Sequence, residues 1–297
     1  MPDKKLFILL ITIISFLSCE KGINFKLDQT PSQLVVDASI ENDKAPVVVL
    51  SNSLNYFSKI SPAILDSSFV HDAIVTVSNG NKTQQLKEFS LPADSLGDII
   101  YYYSSDPSSP QTFFQGEFNK NYTLTIQSNG KKYISTTAIT SLAKKIDSLW
   151  WMKSPDNNDS NEVILMAKIT DPPGYGNYIR YFTSVNGGQL FPALNSVYDD
   201  QITDGTTYNI QIENGVNRNQ NIDLTNYSFF HHGDTATVKF CNIDKATYDF
   251  WRTMEYNYQS IGNPFSTPTQ VLGNISNGAL GYFGGYAAQY ISLIIPK

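Results

Sequence analysis

From Gln33 onward the chain alternates apolar and polar side chains at the period of a strand, and the runs are separated by turn residues. Leu34 to Ile40 and the β-branched run Pro46 to Leu50 read as two strands a turn apart. Ala73 to Ser78 leads through Asn79-Gly80 into Thr83 to Phe89, and Tyr122 to Ile126 leads through Asn129-Gly130 into Tyr133 to Thr137. Asn-Gly between two such runs predicts a tight hairpin, because the two-residue turn needs positive φ at both central positions. Ile99 to Tyr103 adds another strand, followed by a Ser/Pro-rich loop from Ser104 to Gln111. About seven short strands without a helical period predict an immunoglobulin-like or transthyretin-like β-sandwich over residues 33–143.

Past Ser141 to Lys145 the strands lengthen, and residues 144–297 form a second β-rich domain in this reading. Its strands are Ile146 to Lys153, Glu162 to Thr170, Asn177 to Val185, Thr207 to Ile212 and Thr235 to Cys241, while Phe191 to Gly205 reads as irregular. One α-helix is predicted near 244–259: Asp244 supplies a cap, and Tyr248, Trp251, Met254, Glu255 and Tyr258 recur at helical spacing until Gly262 and Pro264 end it. The glycine-rich tail from Gly278 to Pro296 predicts two closing strands, its glycines allowing aromatic strands to pack closely. The fold class is therefore mostly β.

The first residues follow another pattern. Lys4 and Lys5 precede an unbroken run from Leu6 to Leu17. As a helix it would reach only about 18 Å, short of the roughly 30 Å apolar layer of a bilayer, so residues 1–18 are expected to be a signal peptide rather than an anchor. Phe16-Leu17-Ser18-Cys19 resembles a bacterial lipobox, which makes Cys19 the expected site of lipidation and the mature N-terminus. Residues 19–32 lack periodicity and read as a flexible tether. Lipidation of Cys19 leaves Cys241 as the one remaining thiol, placed by alternation opposite Phe240 and expected to be an inert strand cysteine.

Composition narrows the function. Only 16% of the residues are charged, against about 25% in an average soluble domain. The formal net charge of −6 removes the electrostatic footprint that nucleic-acid binding requires. Catalytic motifs are scarce. The three histidines, His71, His231 and His232, have no zinc-site spacing, and the adjacent pair points to opposite faces of an extended segment. The loop carrying Asp156, Asn158, Ser160 and Glu162 has the composition of a calcium loop but lacks its glycine and its terminal bidentate acid, and reads as a solvated hairpin tip. Asp199, Asp200 and Asp204 are acidic neighbours without a pattern that defines a glycosidase pair. No catalytic residue, metal site or cofactor is expected. Tyr101, Tyr102, Tyr103, Phe113 and Phe114 are the candidate ligand contacts, since aromatic faces stack on sugars and peptides.

The succession Gly233 to Val238, Ile243 to Tyr248, Gly262-Asn263-Pro264-Phe265, Pro268, Asn274-Ile275 and Gly278 to Phe283, with the opening strand Leu34 to Ile40, resembles a large family of Bacteroidota lipoproteins classed as a domain of unknown function. The resemblance implies a lipid-anchored outer-membrane protein, facing either the periplasm or the cell surface, with a TonB-dependent receptor as partner; it implies no catalytic residues. The expected function is that of a non-enzymatic accessory or ligand-binding partner of such a transporter. The alternatives are an adhesin or envelope-assembly component and, further off, a hydrolase using His231 or His232 with Asp234.

Overall fold

The computed structural model describes residues 31–54, 61–92, 99–109, 113–155, 159, 161–263, 265–267 and 269–297. Cys19, the expected signal peptide and most of the tether lie outside them, as do Asp156, Asn158, Ser160, Pro264 and Pro268. Ser32–Lys297 is one compact unit.

The described residues are mostly β, arranged in three sheets with two helices. The largest sheet has eight strands in the order β12 (Phe191–Tyr198), β11 (Tyr178–Val185), β15 (Thr235–Ile243), β16 (Leu280–Ile294), β1 (Leu34–Glu41), β2 (Val47–Asn52), β6 (Ile99–Ser104), β5 (Lys87–Pro92). Every neighbouring pair is antiparallel except β1 and β16, which run parallel from Val35↔Leu280 to Glu41↔Tyr286 and so join the two ends of the described chain. This sheet takes strands from both sides of residue 143.

Two four-stranded sheets lie on one of its faces. The first, β4 (Thr83–Gln85), β3 (Ile74–Ser78), β7 (Lys120–Ser128), β8 (Lys131–Ile139), closes a core of Val36, Ala38, Ile40, Val48, Leu50, Val75, Val77, Leu124, Ile126 and Phe283. The second places β10 (Glu162–Thr170) between β9 (Lys145–Lys153) on one side and β13 (Thr207–Ile212) and β14 (Phe230–His231) on the other. Its core holds Leu165, Ile169, Tyr181, Phe230, Val238 and Phe240. Period two explains the division: Phe240 points into this core, and its neighbour Cys241 points through the sheet to the opposite face.

On that opposite face lies helix α2 (Lys245–Ser260), packed on Cys241, Ile243, Tyr282, Tyr286 and Ala288. Asp244 caps it by accepting a hydrogen bond from Thr247 N at 2.8 Å. Its other carboxylate oxygen accepts from Thr137 Oγ1 and Ala138 N, which ties the helix start to β8. A shorter helix, α1 (Pro62–Ser68), begins at the Ser61 cap.

Several sequence expectations are corrected in detail. Thr83 to Phe89 is not one strand: Leu86, buried, separates β4 in a small sheet from β5 in the large one. Phe191 to Tyr198, read as irregular, is the edge strand β12, and Pro192 sits there because only an edge or bulge position tolerates the missing N–H. The tail is one strand of 15 residues rather than two. A second helix, α1, accompanies the expected one. The Asn129-Gly130 turn has φ of 49° and 71°, as the two-residue hairpin requires, whereas the first hairpin closes with four residues, Asn79 to Lys82.

The glycines of β16 serve close approach. A Cβ on Gly285 would stand 2.2 Å from Ala138 O, and one on Gly281 would stand 1.9 Å from Val36 O.

Candidate functional site

A groove of 860 Å³ lies between α2 and the edge strand β12. Periodicity builds it. Tyr248, Arg252, Glu255, Tyr256 and Gln259 are spaced to share one face of the helix, while Asn195 and Val197 alternate along the strand and Asp199 follows directly after it. Gln201 and Ile202, in the loop after β12, complete one rim, and Ile202 is 95% exposed.

A buried polar network holds the two walls together. Arg180, 3% exposed, donates from Nε to Ser196 Oγ at 3.1 Å and from Nη1 to Tyr286 Oη at 3.2 Å. Its guanidinium lies 3.4 Å from the centroid of the Trp251 ring. Ser196 Oγ donates to Glu255 Oε1 at 2.5 Å, and Ser196 N donates to Glu255 Oε2 at 3.0 Å. Arg218 Nη2 approaches Glu255 Oε1 at 3.3 Å. The Glu255 charge is thus compensated behind the groove wall.

The charges facing the groove also meet one another. Tyr248 Oη donates to Asp199 Oδ2 at 3.1 Å, Arg252 bonds the same phenol oxygen, and Arg252 Nη1 stands 3.6 Å from Asp199 Oδ2. Burial pushes the Tyr248 phenol above its ordinary range, with the Arg252 bond opposing, so it stays protonated and can donate. Nearby, burial and the Glu213 charge push Tyr198 up to about 12.

The edge of β12 is covered by side chains. Arg218 donates to Ala193 O and Leu194 O, Gln259 donates to Leu194 O and to Asn195 Oδ1, Glu255 takes Ser196 N, and Tyr198 Oη donates to Asn195 O. An edge occupied in this way cannot accept another strand.

The residues singled out from sequence fall elsewhere. Tyr103 and Phe114 are 3% and 2% exposed and belong to the first core, where the Tyr103 hydroxyl donates to Val70 O. Tyr101 is half-buried against Phe69 and His71, and Tyr102 stacks on Phe89 on the other face of β6. Phe113 is half-buried, so the partly open aromatics of this group are Tyr101, Tyr102 and Phe113. None of the five lines the groove. The groove could not be read from the sequence because one of its walls, β12, showed no strand pattern across Pro192.

The histidines and acids are engaged structurally. His231 stands 3.7 Å from Asp234 and 4.0 Å from Glu162, and its backbone N–H donates to Asp234 Oδ2. Asp234 Oδ1 accepts from Asn186 Nδ2, so this carboxylate closes two turns. His232 Nδ1 lies on the other side, 2.6 Å from Pro296 O, and His71 pairs with Glu88. Asp200 accepts from Gly176 N and Asn177 N; burial alone would raise its pKa, but these amides hold it below the usual carboxylate range. Asp204 accepts from Gly174 N, so both acids clamp one Gly-rich turn. Among the described residues no group of three or more His, Cys, Asp or Glu side chains could hold a metal ion. Burial pushes the Cys241 thiol up to about 12, which leaves it protonated and unreactive at neutral pH. No helix among the described residues is long and apolar enough to cross a membrane.

These features define a mostly β protein, with three sheets among the described residues and a groove between its long helix and one sheet edge. The chain belongs to the family described as a domain of unknown function, DUF4249, whose model matches residues 20–291. No curated protein matches the chain.

Proposed function

We propose that this protein is a lipid-anchored outer-membrane protein of Bacteroidota that acts without catalysis as an accessory or ligand-binding partner of a TonB-dependent transporter. The observation that carries the reading is a junction. The family match begins at residue 20, directly after the lipobox cysteine Cys19, so the folded domain follows the expected lipid attachment with only a short intervening segment. Multiple acyl chains hold a protein firmly on a membrane, where a partner receptor would reside.

The groove between α2 and β12 supplies a place for a ligand, and the turn-closing roles of Asp234, Asp200 and Asp204 favour binding over hydrolysis. The immunoglobulin-like reading of residues 33–143 draws support from the first core, where β3, β4, β7 and β8 pack across β1, β2 and β6.

The anchor is tested by Cys19→Ser. The variant is expected to leave the membrane fraction for the soluble envelope fraction on immunoblotting; retention in the membrane fraction overturns the anchor. Deletion of the protein is expected to reduce uptake of one nutrient, while intact uptake with impaired surface attachment would favour an adhesin.

A further inference from the structure

We propose that the groove between α2 and β12 binds a neutral, polyhydroxylated ligand, an oligosaccharide segment, with Tyr256 as its stacking platform. The inference deepens the ligand-binding reading above and rests on it.

Three properties of the groove lead there. The first is charge. Asp199 is matched by Arg252, and Glu255, 4% exposed, is matched by Arg218 behind the wall. An anionic or cationic ligand would find no uncompensated counter-charge, so a charged group would lose hydration without a partner. The second is the kind of polar group present. Gln259 uses Nε2 for both of its bonds, to Leu194 O and Asn195 Oδ1, which fixes the two amides with an acceptor on one and a donor on the other. Arg252 meets Tyr248 and Asp199 through Nη1, one nitrogen of a group that carries five N–H donors. Fixed amides, a carboxylate and a guanidinium across the two walls suit hydroxyl groups, which both donate and accept. The third is apolar surface. Tyr256 is 52% exposed on the groove, and an aromatic ring offers a flat apolar face to the C–H face of a sugar.

The structure also argues against an extended peptide. Peptides commonly bind a free sheet edge by adding a strand, and here the β12 edge is occupied by Arg218, Glu255, Gln259 and Tyr198.

The test is calorimetric titration of the intact chain with maltotriose, cellotriose and tri-N-acetylchitotriose as neutral probes, and with trigalacturonate and trialanine as charged and peptidic controls. At least one neutral probe is expected to bind, with Tyr256→Ala weakening it about tenfold. Tyr256 is exposed, so thermal unfolding of that variant is expected to match the parent. Binding of no neutral probe, equal or tighter binding of either control, or binding that Tyr256→Ala leaves unchanged overturns the inference. The underlying reading fails separately. If a neutral probe binds and is cleaved during incubation, the protein is not a non-catalytic binder, although the ligand class stands. If a receptor co-purifies with the protein but no neutral probe binds, the ligand class fails and the accessory role stands.

Discussion

At the scale of single residues, the most deeply buried ion pair among the described residues is Lys144–Asp171. Its N–O distance is 2.7 Å and both side chains are 0% exposed. Lys144 leads into β9 and Asp171 follows β10; Asn242 of β15 bonds both the N–H and the carbonyl of Lys144, and Thr203 donates to Asp171. Two opposed charges inside a core cost desolvation, and removing one strands the other. Lys144→Met is therefore expected to cost about 3–5 kcal/mol in denaturant unfolding, and adding Asp171→Leu to recover much of that loss. A double variant as unstable as the single one would show that the stranded Asp171 charge is not the source of the loss. None of this was legible in the sequence, where Lys144 sits in an ordinary linker and Asp171 opens a Pro-Pro-Gly turn. Which lysine is buried depends on three strands meeting, a non-local fact that periodicity does not carry. The opposite holds for Cys241, whose placement opposite Phe240 follows from strand period alone.

Among the elements, those with strong local signals were readable. Glu162 to Thr170 and Thr207 to Ile212 form strands at the limits that alternation sets, and Asp244 caps the helix that its position predicts. The helix stripe is shifted slightly: Phe250 is in the core, stacked on Tyr282 at 4.3 Å, whereas Met254 is 37% exposed. The face was set by a partner sheet that spacing along the helix does not reveal. Asp244→Ala is expected to destabilise the protein by about 1–2 kcal/mol, because it removes the cap and also leaves Thr137 and Ala138 N without their acceptor. Thermal or denaturant unfolding measures it, and a neutral result would mean that water replaces the carboxylate at the β8 junction. The elements misread share a cause. β12 contains Pro192, β4 and β5 divide one predicted strand between two sheets at Leu86, and β16 changes partners from β1 to β15 along its length. Each is decided by which sheet a segment joins, as when the mostly polar stretch Thr83 to Phe89 passes from one sheet to another at Leu86, and local pattern is silent on that choice.

For the whole molecule, low charge and abundant neutral polar and aromatic residues now have places. They cover strands of three sheets and the groove beside α2, whose walls carry amides, hydroxyls and tyrosines. Family membership over residues 20–291 was legible from an ordered series of short segments, most of them in the C-terminal half. The candidate groove was not, because its two walls lie about 50 residues apart in sequence and one of them lacked a strand signature. The proposed partnership at the outer membrane is tested by crosslinking followed by affinity purification of the tagged, full-length protein from membranes. A TonB-dependent receptor is expected to be recovered with it, and Cys19→Ser to reduce the recovery; the protein recovered alone after crosslinking would contradict the partnership.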